Sequence, residues 1–299
     1  MEEKLFDGKF FQSLNRIRLS GQMRMNAGMS GSRRSTAKGS SVEFSDFREY
    51  LPGDDIRRID WNAYGRLDRL FVKLFMQEKE GMYTVLLDNS SSMKFGSPSK
   101  AVMASRLAGA LGYMAMQSLD RVRLVTVQSG ETVTEKSVTG RQSLQKYLEQ
   151  IDRVVFQGGT RMYESVRKIP FTRRGMTIIL SDFMEEKSGV GNMEAIHQMV
   201  RYLRYQRQDV LLVQILSPEE IEPETEGTIC LVDEETGEEL KITMTGRLRK
   251  EYLERMKQYQ SELQKLAKKY QAYYMRVNSA DALDQVIYQG IRSGRLEQI

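Results

Sequence analysis

At 299 residues the chain can bury a substantial core, as one large domain or two modest ones. Charged residues make up 28% of it and the mean hydropathy is -0.49, which fits a soluble globular protein. A single cysteine, Cys230, excludes an internal disulfide and a multi-cysteine zinc site, and a single histidine, His197, removes most histidine-based catalysis.

No apolar run approaches the roughly 20 residues needed to span a bilayer, and the opening MEEKLFDGKFF is too charged for a signal peptide. The expectation is a cytoplasmic chain with no transmembrane segment. The net charge of +5 sits entirely in residues 1 to 41, where Lys4, Lys9, Arg16, Arg18, Arg24, Arg33, Arg34 and Lys38 face only Glu2, Glu3 and Asp7. Such a segment suits nucleic acid or an acidic membrane surface. Without interleaved aromatics after Phe11, it reads instead as a mobile or partner-held arm, and no nucleic-acid partner is expected.

In chain order, Leu5, Phe6, Phe10, Leu14 and Ile17 recur near a 3.6-residue period and predict an amphipathic helix over Glu3 to Leu19. Glycines and serines from Ser20 to Ser41 predict a long loop. Val42 to Glu80 mixes both charges with aromatics and predicts a folded-back segment in which Arg48, Asp54, Asp55, Arg57, Arg58 and Asp60 pair among themselves. It holds a turn at Pro52-Gly53-Asp54 and a strand over Leu70 to Met76. His197 lies in a helical pattern, where a surface or boundary role is expected of it.

From Tyr83 onward strands and helices alternate. A strand ends at Asp88, a helix covers Pro98 to Leu119, and a strand over Arg121 to Gln128 has its hairpin partner at Glu131 to Val138. A helix over Gln142 to Ile151 follows, and Gly158-Gly159-Thr160 opens another. A strand over Met176 to Ser181 ends at Asp182, then come a helix over Met193 to Gln206 and a strand over Val210 to Leu216. Thr228 to Asp233 and Glu239 to Thr245 flank Glu235-Thr236-Gly237 as a hairpin, an insertion over about 217–245 because the rhythm then resumes. Gly246 to Lys269 is a long helix, Tyr273 to Val277 a last strand and Ala280 to Ile291 a last helix.

This order predicts an α/β fold, a doubly wound, mostly parallel sheet over 81–299 with a β-hairpin insertion and an N-terminal extension over 1–80. Such sheets bind ligands at the carboxyl ends of their strands. Three loops fall there. One carries Asp88, Ser90 and Ser92, which share a side of an extended segment; one carries Thr160 behind two glycines; one carries Asp182. Two carboxylates and three hydroxyls form an all-oxygen set of the kind Mg2+ takes, with Mn2+ or Ca2+ as alternatives.

In that order, Asp88-x-Ser90-x-Ser92, Thr160 and Asp182 resemble the metal-ion-dependent adhesion site of von Willebrand factor type A domains. Ser91 stands where many of those domains have Gly, at a position that is not a ligand. The run EFSDFREYLPGDDIRRIDWNAYGRLDRLFVKLF and the later LSPEEIEPETEGTICLVDEETGEEL resemble a widespread bacterial family, domain-of-unknown-function family fifty-eight. Tyr64-Gly65-Arg66 departs from that family's small residues and Ala-Arg after the Trp. The likeness runs from about Gly28 to Leu283.

The resemblance implies an interaction protein rather than an enzyme, a chaperone-like partner of a MoxR-type AAA ATPase acting on a client protein. It implies hydroxyls of Ser90, Ser92 and Thr160 on the metal, the carboxylates often acting through water, and a partner's acidic residue in the open position. The competing readings are a Mg2+-dependent phosphohydrolase and a nucleic-acid binder using the basic arm. Against the first, Asp88-Asn89-Ser90 lacks a second early Asp, and no GxxxxGK[ST] loop is present.

Overall fold

Phe10 and Leu14 stand one helical turn apart, and helix α1, residues 8–16, buries both. The Asp7 carboxylate accepts from the Phe10 N–H at 2.8 Å and caps its start. The structure is a computed structural model that describes residues 5–16, 43–67, 69–76, 81–184, 193–223, 227–232 and 239–293. The expected loop over Ser20 to Ser41 and the hairpin turn at Glu235-Thr236-Gly237 lie outside those residues.

The chain divides into two units, Gln22–Glu80 and a larger one of Met1–Gly21 with Gly81–Ile299. In the smaller unit β1 (Glu43–Glu49) pairs antiparallel with β2 (Phe71–Met76), and a short helix α2 (Trp61–Leu67) lies between them in sequence. The Asp60 carboxylate takes the N–H groups of Asn62 and Ala63 at 2.9 and 3.2 Å, which caps α2. Arg48 Nη2 donates to both oxygens of Asp54 at 2.8 Å, an ion pair within this charge-rich segment.

The larger unit is built on strands with apolar runs long enough to be buried on both faces. These are β3 (Met82–Asp88), β4 (Arg121–Gln128), β7 (Gly175–Ser181), β8 (Gln208–Leu216) and β11 (Tyr273–Asn278). They lie parallel in the order β11-β8-β7-β3-β4. Two short strands, β5 (Glu131–Thr134) and β6 (Val138–Thr139), pair antiparallel with β4 and replace the single expected hairpin strand. Between β8 and β11 come the short helix α7 (Pro218–Ile221), the separate hairpin β9 (Gly227–Val232) and β10 (Glu239–Met244), and helix α8 (Gly246–Lys269).

Alternation along the strands sends side chains to two cores. Val85, Leu87, Ile178, Leu180, Val213 and Ile215 meet α1, α3 (Lys100–Gln117), α4 (Leu144–Asp152) and α9 (Leu283–Arg292). Leu86, Val125, Ile179 and Leu212 meet α5 (Met162–Arg167), α6 (Met193–Tyr205) and α8 on the other face. Each fully buried Val, Leu or Ile stabilises the fold by about 1.5–3 kcal/mol relative to exposure. On α3, Ala101, Ala104, Ala108 and Ala110 are buried, and a Cβ at Gly112 would overlap the Tyr147 ring. The small residues thus let α4 lie close against α3. No helix among the described residues is long and apolar enough to cross a membrane.

The connection after β3 runs to β4 on one side, and the connection after β7 runs to β8 on the other. The carboxyl ends of β3 and β7 therefore flank a point where the winding reverses, the place where such sheets form a crevice.

Candidate functional site

β3 is buried from Tyr83 onward and apolar over Val85–Leu87, so the strand delivers Asp88 to that crevice without exposing it; the side chain is fully buried. Backbone bonds then tie the surrounding loops together. Asn89 N–H donates to Val127 O at 3.2 Å, Ser91 N–H to Gly158 O at 2.8 Å, Gln157 N–H to Asn89 O at 2.8 Å and Ser129 N–H to Gly159 O at 2.7 Å. Gly158 has φ +69°, and a Cβ there would stand 3.0 Å from Gln128 and Ser129, so glycine serves both the turn and the close approach.

Three donors converge on the Asp88 carboxylate. Its Oδ1 accepts from the Ser90 N–H at 3.1 Å and the Thr160 hydroxyl at 3.0 Å, and its Oδ2 from the Ser181 hydroxyl at 2.6 Å. Ser90 and Ser92 hydroxyls lie 3.1 Å apart. Asp88, Ser90, Ser92 and Thr160 are thus one hydrogen-bonded set. Asp182 follows Ser181 directly and faces Asp88 closely enough to act on its charge. Burial first, and then the Asp182 charge, push the Asp88 carboxyl up to about 6, while the Ser181 and Ser90 bonds work the other way.

Asp182 has a different environment. Its Oδ1 accepts from the Met184 N–H at 2.9 Å, and its Oδ2 from the Lys100 ammonium at 2.7 Å. Lys100 is 1% exposed and also donates to Glu220 Oε1 at 2.6 Å. Burial works against its charge, but the carboxylates of Asp182 and Glu220 outweigh it and hold the ammonium above its ordinary value. Burial raises Glu220, with Lys100 pulling it back. Glu220 Oε2 accepts from the Ser217 N–H at 2.8 Å, one half of a capping box on α7.

Sequence reasoning missed Lys100, Ser181 and Glu220. Lys100 carried one signal, because a cation in the first turn of a helix opposes the helix dipole and needs another partner. Glu220 was legible only as the fourth residue of Ser-Pro-Glu-Glu, a capping-box pattern that says nothing of a lysine far upstream. Ser181 adjoins Asp182, but its direction depends on the end of β7.

Among the described residues no three His, Cys, Asp or Glu side chains gather around one point as metal ligands. A cation here would depend on the hydroxyls together with the two facing aspartates. Asp88, Asp182 and Glu220 are three carboxylates against the single ammonium of Lys100, all buried or nearly so. Ionised, the cluster carries a net charge of two minus that a divalent ion would neutralise, and uncompensated buried charge is costly. The donors are oxygens only, as a hard cation requires.

Several proteins resemble this chain. An uncharacterized protein of Mycobacterium bovis and one of Mycobacterium tuberculosis are each 24% identical over 253 residues, which covers 82% of this chain and 77% of each relative. Among solved structures, the conserved hypothetical protein BatB from Bacteroides thetaiotaomicron matches with a TM-score of 0.44 and 18% identity, over 73% of this chain and 100% of that one. The VWA domain of SpRpn10 matches with a TM-score of 0.41 and 8% identity, over 71% of this chain and 95% of that one. Residues 46–262 match the family described as protein of unknown function DUF58. The chain belongs to that family.

Proposed function

We propose that this chain is a protein-interaction module, not an enzyme, in which Asp88, Ser90, Ser92, Thr160 and Asp182 hold Mg2+ and the ion takes a carboxylate from a partner protein. The observation that carries the reading is the gathering of three buried or nearly buried carboxylates, Asp88, Asp182 and Glu220, with the Lys100 ammonium beside three converging hydroxyls. Bound there, Mg2+ supplies a Lewis acid for one more oxygen ligand. The chain's own groups do the rest. Asp88 orients the Thr160 hydroxyl and the Ser90 backbone, Ser181 holds Asp88 from behind, and the apolar end of β3 keeps water from that side.

The partner proposed for this surface is a MoxR-type AAA ATPase, with the chain acting as a chaperone-like adaptor for a client protein. Two measurements test it. Mg2+ should raise the melting temperature of the wild type relative to EDTA, and Asp88→Ala should abolish the rise; a wild type indifferent to Mg2+ and Mn2+ sinks the cation site. Co-purification of the ATPase in Mg2+ should be lost both in EDTA and from Asp88→Ala. Retention in both would sink metal-bridged binding even if a cation binds.

A further inference from the structure

Both aspartates of the site are already engaged, but by different groups. Asp88 accepts from three neutral donors, whereas Asp182 is divided between the Met184 N–H on Oδ1 and the Lys100 ammonium on Oδ2. Lys100 itself is fixed. It opens α3 behind the Ser99 cap, the preceding Pro98 carbonyl accepts from the Ser279 hydroxyl at 2.6 Å, and Glu220 holds the other side of the ammonium at 2.6 Å. Asp182 therefore cannot turn to offer both oxygens to an ion without giving up a buried ion pair.

We propose that Lys100 determines which cation the site accepts. By tying one oxygen of Asp182, it leaves a set of single-oxygen ligands and selects Mg2+ over Ca2+. This rests on the cation-site reading above. The physical basis is the difference between the two ions. Ca2+ takes six to eight oxygens in flexible geometry and gains from two-oxygen carboxylate ligands, whereas Mg2+ takes six, keeps several waters and does with one or two carboxylates. The ammonium also reduces the local charge, because without it the cluster would carry three uncompensated carboxylates. A larger negative charge and a freed Asp182 both favour the ion that collects more oxygens.

The test is calorimetric titration of the full chain with Mg2+ and with Ca2+, with circular dichroism to check folding. Wild type should prefer Mg2+ by about tenfold or more, and Lys100→Met, which keeps the apolar stem, should bind Ca2+ at least about as tightly as Mg2+. A folded Lys100→Met with the wild-type ratio overturns the proposal, since a purely structural role would lower stability without changing the ratio. Where Lys100→Met does not fold, Glu220→Gln decides. In that variant the ammonium is left to Asp182 alone and holds it more firmly, so the Mg2+ preference should persist or grow; a fall of the preference to parity overturns the proposal. A wild type that binds neither ion overturns the site reading and this inference together, whereas binding with no Lys100 effect overturns this inference alone.

Discussion

Two regions of the molecule are rich in paired charges, and they differ in what surrounds them. In the Gln22–Glu80 unit the pairs join residues 6 and 20 apart in sequence, and water reaches at least one partner of each. Arg69 and Glu49 meet at 3.0 Å with side chains 71% and 62% exposed, and Arg48 and Asp54 are six residues apart. At the carboxyl edge of the sheet, Lys100 meets Asp182 at 2.7 Å with both side chains 1% exposed. An exposed pair gains little, because water already solvates each partner. A buried set is held by geometry alone, and losing one member leaves the others stranded.

The largest effect should follow from Lys100→Met. Asp182 and Glu220 both lose their counter-ion, and breaking a buried pair costs about 3–5 kcal/mol. Urea unfolding in EDTA, followed by far-ultraviolet circular dichroism, should show the midpoint fall by a corresponding amount. A midpoint unchanged within error would mean that the edge behaves like the surface, and burial would not distinguish the two regions.

The second prediction has the opposite sign. In EDTA, Asp88→Asn should stabilise the protein at pH 7.5 by about 1–3 kcal/mol, since the carboxyl stands at about 6 against an ordinary 3.8 and each tenfold change in proton affinity corresponds to about 1.4 kcal/mol. The folded state holds this proton more tightly than the unfolded one. Stability therefore falls as pH rises from about 4 to about 6, and above that the whole penalty is present. The gain from Asn should be full above pH 6, shrink as pH falls through 6, and vanish below about 4. The same variant should lose the Mg2+-dependent rise in melting temperature. Greater stability with loss of cation response is the mark of a site kept at the expense of the fold.

The contrast also explains what the sequence made visible. β3, β4, β7 and β8 were legible because their apolar runs are buried on both faces, and α8 matched over Gly246–Lys269 because its apolar residues keep helical spacing. β1 was not legible. Its register with β2 shifts between Phe44 and Asp46, and such an irregularity breaks the two-residue alternation that announces a strand. α2 is seven residues long with Gly65 inside it, too short for periodicity to show. Asp88, Ser90, Ser92, Thr160 and Asp182 stood out because each lies at or just beyond an apolar run or a glycine pair. Lys100 did not, since its partners lie 82 and 120 residues away, and only the folded sheet brings them together. The charge-dense stretch from Val42 to Glu80 drew notice by composition, yet the buried charge pairs lie elsewhere.

Smaller effects should come from that stretch. Its reporter is Trp61, the only tryptophan of the chain, which lies in this unit. Arg48→Ala removes the Nη2 bonds to both oxygens of Asp54, a carboxylate that also accepts from the Leu51 N–H at 2.9 Å and is largely shielded. With the backbone bond left in place, the loss should be about 1 kcal/mol.

Arg69→Ala should do least. Both partners of the Arg69–Glu49 pair are mostly solvated, so the Coulomb gain is screened and is offset by the cost of ordering two long side chains. The change in the Trp61-monitored urea midpoint should correspond to less than about 0.5 kcal/mol and should disappear in about 0.5 M salt. A loss as large as that from Lys100→Met, persisting in salt, would show that Arg69 is buried against something in solution. Burial would then no longer separate the two regions.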